Sequence, residues 1–217
     1  MDSDEVSGIV TNMIPRGARV LEIGCGTGSL SRIVADTCAA EVVGIEPDSR
    51  RAERATARGL QIHVGYLNLE LIHKIGSFDI VLLADVLEHV PNPQAMLLLS
   101  RQTLRVGGAV VVSVPNVAHW SVRVDLVRGR FQYQPGFIMD ATHLRWFTLD
   151  TLKALLVSSG FKVTSAQATA GLILPANVHR RPWRWLPSSY RVYLLRFGCR
   201  HWPMLFGCQH VLKAEMV

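Results

Sequence analysis

The stretch VLEIGCGTG, residues 20–28, runs an apolar segment into three glycines spaced two apart. A short apolar run closed by glycines reads as a buried strand followed by a turn into a helix. Glycine tolerates positive φ there and lets backbone N–H groups approach a ligand at the helix N-terminus. A dinucleotide fingerprint, G-x-G-x-x-G, does not fit. The sixth residue counted from Gly24 is Ser29, and counted from Gly26 it is Ser31. The pattern is E-x-G-x-G-x-G, from Glu22 to Gly28.

Outward from this loop, apolar runs alternate with helical patterns, the signature of a parallel sheet covered on both faces. Candidate strands are ARVLEI (18–23), AEVVGI (40–45), LQIHV (60–64), FDIVLLA (78–84) and GAVVVSV (108–114). Helices are expected near 28–38, 48–58 and 93–104. The last carries Met96, Leu97, Leu99, Ser100 and Leu104 in a stripe of helical period and stops at Gly107 and Gly108. After Val114 the alternation breaks, and residues 115–147 form a long polar and aromatic insertion of the kind that is usually functional or helical. A helix from Thr148 or Asp150 to about Ser159, a strand FKVTSAQA (161–168) and a final strand at HVLKAEM complete the chain. The 217 residues are read as one domain, a fold class of α/β type.

Hydrophobic residues make up 49% and charged residues 18%, which excludes a disordered chain. The N-terminus, MDSDEVSG, lacks the basic and apolar regions of a secretory signal. Runs such as IVLLA at 80–84 are far too short to cross a bilayer. Cys25, Cys38, Cys199 and Cys208 form no C-x-x-C pair, and are read as packed thiols of a cytoplasmic protein. The net charge of +6 is concentrated late, since no Asp or Glu lies between Thr151 and Ala214. There Arg180, Arg181, Arg184, Arg191, Arg196 and Arg200 interleave with three of the five tryptophans, a composition suited to an anionic surface. For residues 172–207 two readings stand open, an Arg-rich face solvated over a packed helix and peripheral membrane contact.

Glu46, in GIEPD, lies about 20 residues beyond the glycine loop, where a carboxylate can accept hydrogen bonds from both ribose hydroxyls of a nucleoside cofactor. The loop motif and this acid together resemble class I S-adenosylmethionine-dependent methyltransferases. The resemblance continues through FDIVLLADVLEHV and LLLSRQTLRVGGAVVVSVPN. It implies a Rossmann-like, seven-stranded, mostly parallel sheet with helices on both faces, and S-adenosyl-L-methionine as cofactor. By the resemblance, Glu22, Gly24, Gly26 and Gly28 form the cofactor loop, Glu46 takes the ribose, and Asp85 lies near the methionine moiety. The family often has Gly-Asp after the third strand, where this chain reads GYLNLE. Adenine recognition is therefore assigned to backbone at Leu67 and to Tyr66 or Asn68.

Methyl transfer from a sulfonium is an in-line displacement that demands alignment, exclusion of water and, for a hydroxyl acceptor, loss of a proton. It demands no metal. Histidine suits the base, with its ordinary pKa of about 6.5, and His89, His119 and His143 are the candidates. His143, in DATHLRWFT (140–148), leads, with Asp140 expected to orient its ring, Arg145 placed to meet an anionic group, and His89 in reserve. Trp146 and Phe147 are expected to pack inward rather than stack on an acceptor. The insertion and the later PMLFGCQHVLKAE are similar to methyltransferases associated with glycan and polysaccharide assembly, which implies O-methylation of a sugar-containing or other small polar acceptor. PN-x-x-HW and GR are shared with proteins that resemble the methionine-biosynthesis protein MetW, implying as the alternative a noncatalytic accessory subunit of an acyltransferase. No nucleic-acid partner is expected, since no N-P-P-Y-type motif follows the fourth strand.

Overall fold

The computed structural model describes residues 5–171 and 187–217. Its strands are β1 (Arg19–Ile23), β2 (Glu41–Glu46), β3 (Gln61–Val64), β4 (Phe78–Ala84), β5 (Leu104–Pro115), β6 (Phe161–Ala168) and β7 (Gln209–Met216). They join one sheet in the order β3-β2-β1-β4-β5-β7-β6. The first five run parallel, and β7 lies antiparallel between β5 and β6. This is the Rossmann-like architecture that the alternation and the resemblance imply, and each anticipated strand is present to within a few residues.

Side-chain alternation along the strands explains why they read as continuous apolar runs. Leu21 and Ile23 of β1, Val81 and Leu83 of β4, and Val110 and Val112 of β5 face one layer. Val20, Ile80, Leu82, Ala109 and Val111 face the other. A strand buried on both sides has no polar face to show. Helices α4 (Leu69–Ile75), α5 (Pro93–Gln102) and α7 (Leu149–Ser158) cover the first layer with Ile75, Leu97, Leu152 and Leu156. Helices α1 (Val6–Met13), α2 (Ser29–Cys38) and α3 (Ser49–Thr56) cover the second with Ile9, Val34 and Ala55. Helix α7 opens on a capping box between Thr148 and Thr151, so Thr148 rather than Asp150 caps it.

Among the described residues, α1, α4 and α6 (Trp120–Val127), the last inside the insertion, escape the sequence pattern. The basic region contributes α8 (Ser188–His201) and the short α9 (Pro203–Phe206). Arg180, Arg181, Arg184 and two of the three tryptophans of that region lie outside the described residues. Among the described residues, no helix is long and apolar enough to cross a membrane. All four cysteines are free and buried.

At the turn into α2, Gly28 holds φ at +73°, and a Cβ there would meet Leu60 Cδ1 at 2.6 Å and Ala55 Cβ at 2.9 Å. Strained backbone and overpacking both oppose a side chain. Gly28→Ala is expected to destabilise the protein by ~2–3 kcal/mol. A urea titration should show a lower midpoint at unchanged slope.

Candidate functional site

Strand order reverses between β1 and β4, and in open α/β sheets ligands bind outside the carboxyl ends of the strands at such a point. The glycine loop leaves β1 at this edge. Gly24 and Cys25 donate their N–H groups to Ile45 O at 2.8 and 3.1 Å, tying the loop to β2. Gly26 donates to Glu46 Oε2 at 2.8 Å, and Asp48 N–H donates to Glu46 Oε1 at 3.0 Å. Glu46 is thereby fixed in a buried position at the end of β2. Each of its oxygens keeps a lone pair beyond the one used here.

Gly26 stands at φ +56°, and a Cβ built on it would meet nothing within 4 Å. Open space lies over the loop beside a fixed carboxylate. Gly28 caps α2 with backbone alone, so no side chain covers the first amides of that helix. The residues thus fit a nucleoside cofactor such as S-adenosylmethionine laid across Gly24, Gly26 and Gly28 with its ribose at Glu46. Glu22, beneath the loop, is buried and takes a short hydrogen bond from Ser31 Oγ. Burial pushes its carboxyl up to about 7, against the lowering effect of Ser31. Beyond β3, the Leu67 side chain packs into the core while Tyr66 is 73% exposed beside it. Asn68 spends its side-chain oxygen capping α4 at Leu71 N, 2.9 Å away, which takes that atom from the adenine role considered for it.

Beside this cradle opens a cavity of about 390 Å³ whose lining includes Asp85, Glu88, His89, Phe137 and His143. Asp85 follows β4 directly, with φ at +54°, and lines the cavity. Its Oδ1 accepts from Ser113 Oγ at 3.1 Å and from Gln209 Nε2 at 2.8 Å. The surrounding protein raises its pKa by desolvation, and those two hydrogen bonds oppose the shift.

The insertion reaches the cavity because the backbone carbonyl of Glu88 accepts from Leu144 N at 2.8 Å and from Arg145 N at 3.1 Å. His143 is buried, and its ring meets that of His89 edge-on with centroids 4.8 Å apart. Its Nδ1 lies 3.2 Å from Ile138 O. A carbonyl oxygen only accepts, so Nδ1 carries the proton and Nε2 keeps its lone pair. Desolvation, then the nearby His89, lower the His143 pKa and hold the ring neutral.

The orienting role expected of Asp140 falls instead to Ile138. Asp140 Oδ1 is engaged by Thr142 N at 2.7 Å and Thr142 Oγ1 at 2.6 Å, an Asx-type turn within the loop. His119 is not beside the pocket chemistry either: it caps α6, with Nδ1 2.8 Å from Ser121 Oγ and Nε2 3.7 Å from Cys208 Sγ. Arg145 gives its guanidinium to Pro91 O at 2.9 Å. Phe147 is buried in the core, and Trp146 packs on Val122, Ile138 and Met139.

Sequence reasoning missed Glu88 and Phe137. Glu88 is 1% exposed, and neither of its carboxylate oxygens has a hydrogen-bond partner. Desolvation and then Asp85 push it up to about 8, with only its own backbone amide opposing. In the sequence it stands between Leu87 and His89 with no spacing or motif that marks it. Phe137 holds φ at +65°, is 47% exposed and lines the cavity. Gly136 before it was the available signal of unusual backbone.

A family model described as methionine biosynthesis protein MetW matches residues 5–195. The similarity read from PN-x-x-HW and GR thus spans most of the chain. Curated relatives are ubiquinone biosynthesis O-methyltransferases. That of Roseobacter denitrificans is 37% identical over 152 residues, covering 67% of this chain and 60% of the relative. That of Idiomarina loihiensis is 34% identical over 135 residues, covering 58% and 54%. The human mitochondrial protein is 25% identical over 214 residues, covering 92% and 55%. The chain spans about half the length of the curated relatives it matches. Among solved structures, a methyltransferase of Thermotoga maritima superposes with TM-score 0.62 at 20% identity, covering 97% of this chain and 87% of that one. One from Archaeoglobus fulgidus gives 0.60 at 18%, covering 96% and 94%. Both are described as S-adenosylmethionine-dependent methyltransferases, and the likeness agrees with the fold class expected. The relatives are not the glycan-associated group expected, and that part of the sequence reading finds no support.

Glu22 supplies a pH test of the cradle. Its folded pKa of about 7 stands above the ordinary 4.5, so the fold retains a proton that the unfolded chain releases. Stability therefore falls as pH rises from about 4.5 through 7. Glu22→Gln is expected to be more stable than the parent by ~2–3 kcal/mol at pH 8, with the gap closing toward pH 4. Paired urea titrations at the two pH values measure it.

Proposed function

We propose that this chain, which belongs to the methionine biosynthesis protein MetW family, is an S-adenosylmethionine-dependent O-methyltransferase acting on a hydroxyl of a small ring-bearing acceptor. The observation that carries the reading is His143. It is a buried, neutral imidazole, fixed by Ile138 O, in a cavity that Asp85 lines just past the end of β4, the strand next to the one that the glycine loop leaves. The names of the curated relatives support oxygen as the methylated atom and a ring of the kind found in ubiquinone biosynthesis. The half-exposed face of Phe137 gives such a ring a wall to pack against. A cavity of about 390 Å³ lies at the small end of ligand sites and suits one ring better than a chain of sugars.

The cofactor supplies a methyl group made electrophilic by its sulfonium. Gly24, Gly26 and Gly28 would let it lie close to the backbone, with Glu46 on the ribose, Leu67 at the adenine and Asp85 toward the methionine end. His143 Nε2 would take the acceptor proton as the oxygen forms its bond to the methyl carbon. His89, edge-on to His143, and the carbonyl of Ile138 hold that ring in position. Closure of the cavity by the insertion would keep water from competing for the methyl group.

Assay of the chain with labelled S-adenosylmethionine against hydroxylated benzoates and catechols is expected to give methyl ethers. His143→Ala should reduce turnover by ~10² to 10⁴ with cofactor affinity near that of the parent. In calorimetry, Glu46→Ala should weaken cofactor binding at least about tenfold. Cofactor binding without transfer to any hydroxyl, together with co-elution of an acyltransferase, would favour the noncatalytic accessory subunit to which the family name points.

We also propose peripheral contact with an anionic membrane through α8. Tyr190, Tyr193, Leu194 and Phe197 are exposed along it and Trp202 at its end, with Arg200 in its last turn. An aromatic and basic surface of this kind seats at the headgroup boundary. Co-sedimentation with anionic vesicles is expected at low salt and should fade at ~0.5 M salt. Failure at low salt would remove the idea.

A further inference from the structure

Among the described residues, the non-glycines that hold a positive φ are Ala39, Asp85 and Phe137. Ala39, at +51°, closes the C-terminal end of α2, where left-handed backbone is ordinary. The other two both line the cavity. Phe137 is the bulky one, and a large side chain at such a φ opposes folding. It follows Gly136 at +88°, so a phenyl ring occupies the second of two successive positive-φ positions, a setting usually filled by Gly, Asn or Asp. Some contact must offset that strain.

The packing of the insertion does not supply it. Ile138 and Met139, next in the chain, are buried with Val122 and Trp146 against them, and Phe131 and Tyr133 pack on the Trp146 ring. Phe137 belongs to none of the three buried clusters, and nearly half of its surface is exposed. Its ring is kept for the cavity rather than for the core.

The turn that carries the ring is tied across itself. Gln134 N donates to Met139 O at 2.9 Å, Ala141 N to Gln134 O at 3.1 Å, and Asp140 N to Phe137 O at 3.2 Å. Ile138 O, one residue beyond Phe137, accepts from His143 Nδ1 at 3.2 Å. The cavity wall and the carbonyl that aims the base therefore sit on one braced segment. A flat acceptor lying on Phe137 is held at a set place relative to His143 Nε2, whose lone pair remains available for the acceptor proton.

We propose that Phe137 makes the site select a flat aromatic acceptor over a saturated ring of the same size and hydroxyl pattern. The placing of the acceptor hydroxyl rests on the O-methyl transfer proposed above, whereas the ring preference does not. Two aromatic rings attract beyond the area they bury, because the electron-rich face of one meets the positive edge of the other. A puckered saturated ring offers neither the flat face nor that charge pattern. The aromatic contribution corresponds to about 3- to 10-fold in affinity. An aliphatic side chain in place of Phe137 would keep apolar area and lose the discrimination.

The test uses the full chain saturated with S-adenosylhomocysteine, which holds the cofactor site without a methyl group to transfer. Catechol and trans-1,2-cyclohexanediol are titrated by calorimetry. The parent is expected to bind catechol about 3- to 10-fold more tightly than the diol. Phe137→Leu should bring that ratio to about one, and Phe137→Tyr should keep it. Phe137→Gly should also lose the preference, yet unfold in urea at a midpoint no lower than the parent's, because the strained backbone is relieved. A ratio near one in the parent, or a ratio unchanged in Phe137→Leu, would overturn the proposal. So would a lower urea midpoint for Phe137→Gly, which would show that the ring serves the fold. A preference that follows Phe137, with no methyl ether formed when S-adenosylmethionine is supplied, would leave the selection standing and remove the O-methyl transfer reading. Methyl ether formation with the ratio unmoved by Phe137→Leu would do the reverse.

Discussion

A single backbone oxygen, the carbonyl of Glu88, holds the site together. It accepts from two successive amides of the insertion, Leu144 and Arg145, and so draws the loop across the end of β4. Without that pairing His143 would have no reason to face His89, and the cavity would lack one wall. The turn that presents this carbonyl follows Asp85, whose positive φ starts the bend out of the strand. The order of causes runs from the sheet edge to a strained residue, from there to a turn, and from the turn to a captured loop. Each step uses backbone groups that must be satisfied in any case.

The two halves of the site are built differently. The cradle at β1 and β2 is made of backbone and one carboxylate, with Gly26 and Asp48 amides clamping Glu46. It is rigid because its parts are local to adjoining strand ends. The cavity beside it is made of side chains from distant segments, and its electrostatics are set by burial. Desolvation raises Asp85 and Glu88 and lowers His143, so all three shift toward their neutral forms. Groups shifted in this way cluster where a protein handles protons or ions.

The cradle was legible from the sequence because its signal is local. Glycine spacing after an apolar run, and an acid after the next run, need no knowledge of tertiary contacts. The strands were legible for a related reason, since burial on both faces writes itself as an uninterrupted apolar segment. Helices α1, α4 and α6 were not, because segments of seven or eight residues hold barely two helical turns and carry little pattern. The cavity was half legible. His143 and His89 could be named by residue type, but the partner of each is a carbonyl, and any residue can supply one. Asp140, three residues before His143, was the obvious orienting group on paper; the loop's own turn takes its carboxylate. Glu88 was hidden because what sets it apart is the absence of a partner, which only three dimensions reveal.

Asp85 is joined by Gln209, 124 residues further along the chain. Gln209 begins β7, which occupies the slot between β5 and β6. The sheet therefore cannot add β6 by ordinary outward growth from β5; it must wait for a strand made later and admit it antiparallel. A ribosome releasing this chain from its N-terminus would display a five-stranded parallel sheet with a bare edge along β5 until that strand arrives. During that interval the nascent chain is exposed to edge-to-edge pairing with its neighbours. Asp85, unheld by Gln209, would be the last element of the pocket to take its final position.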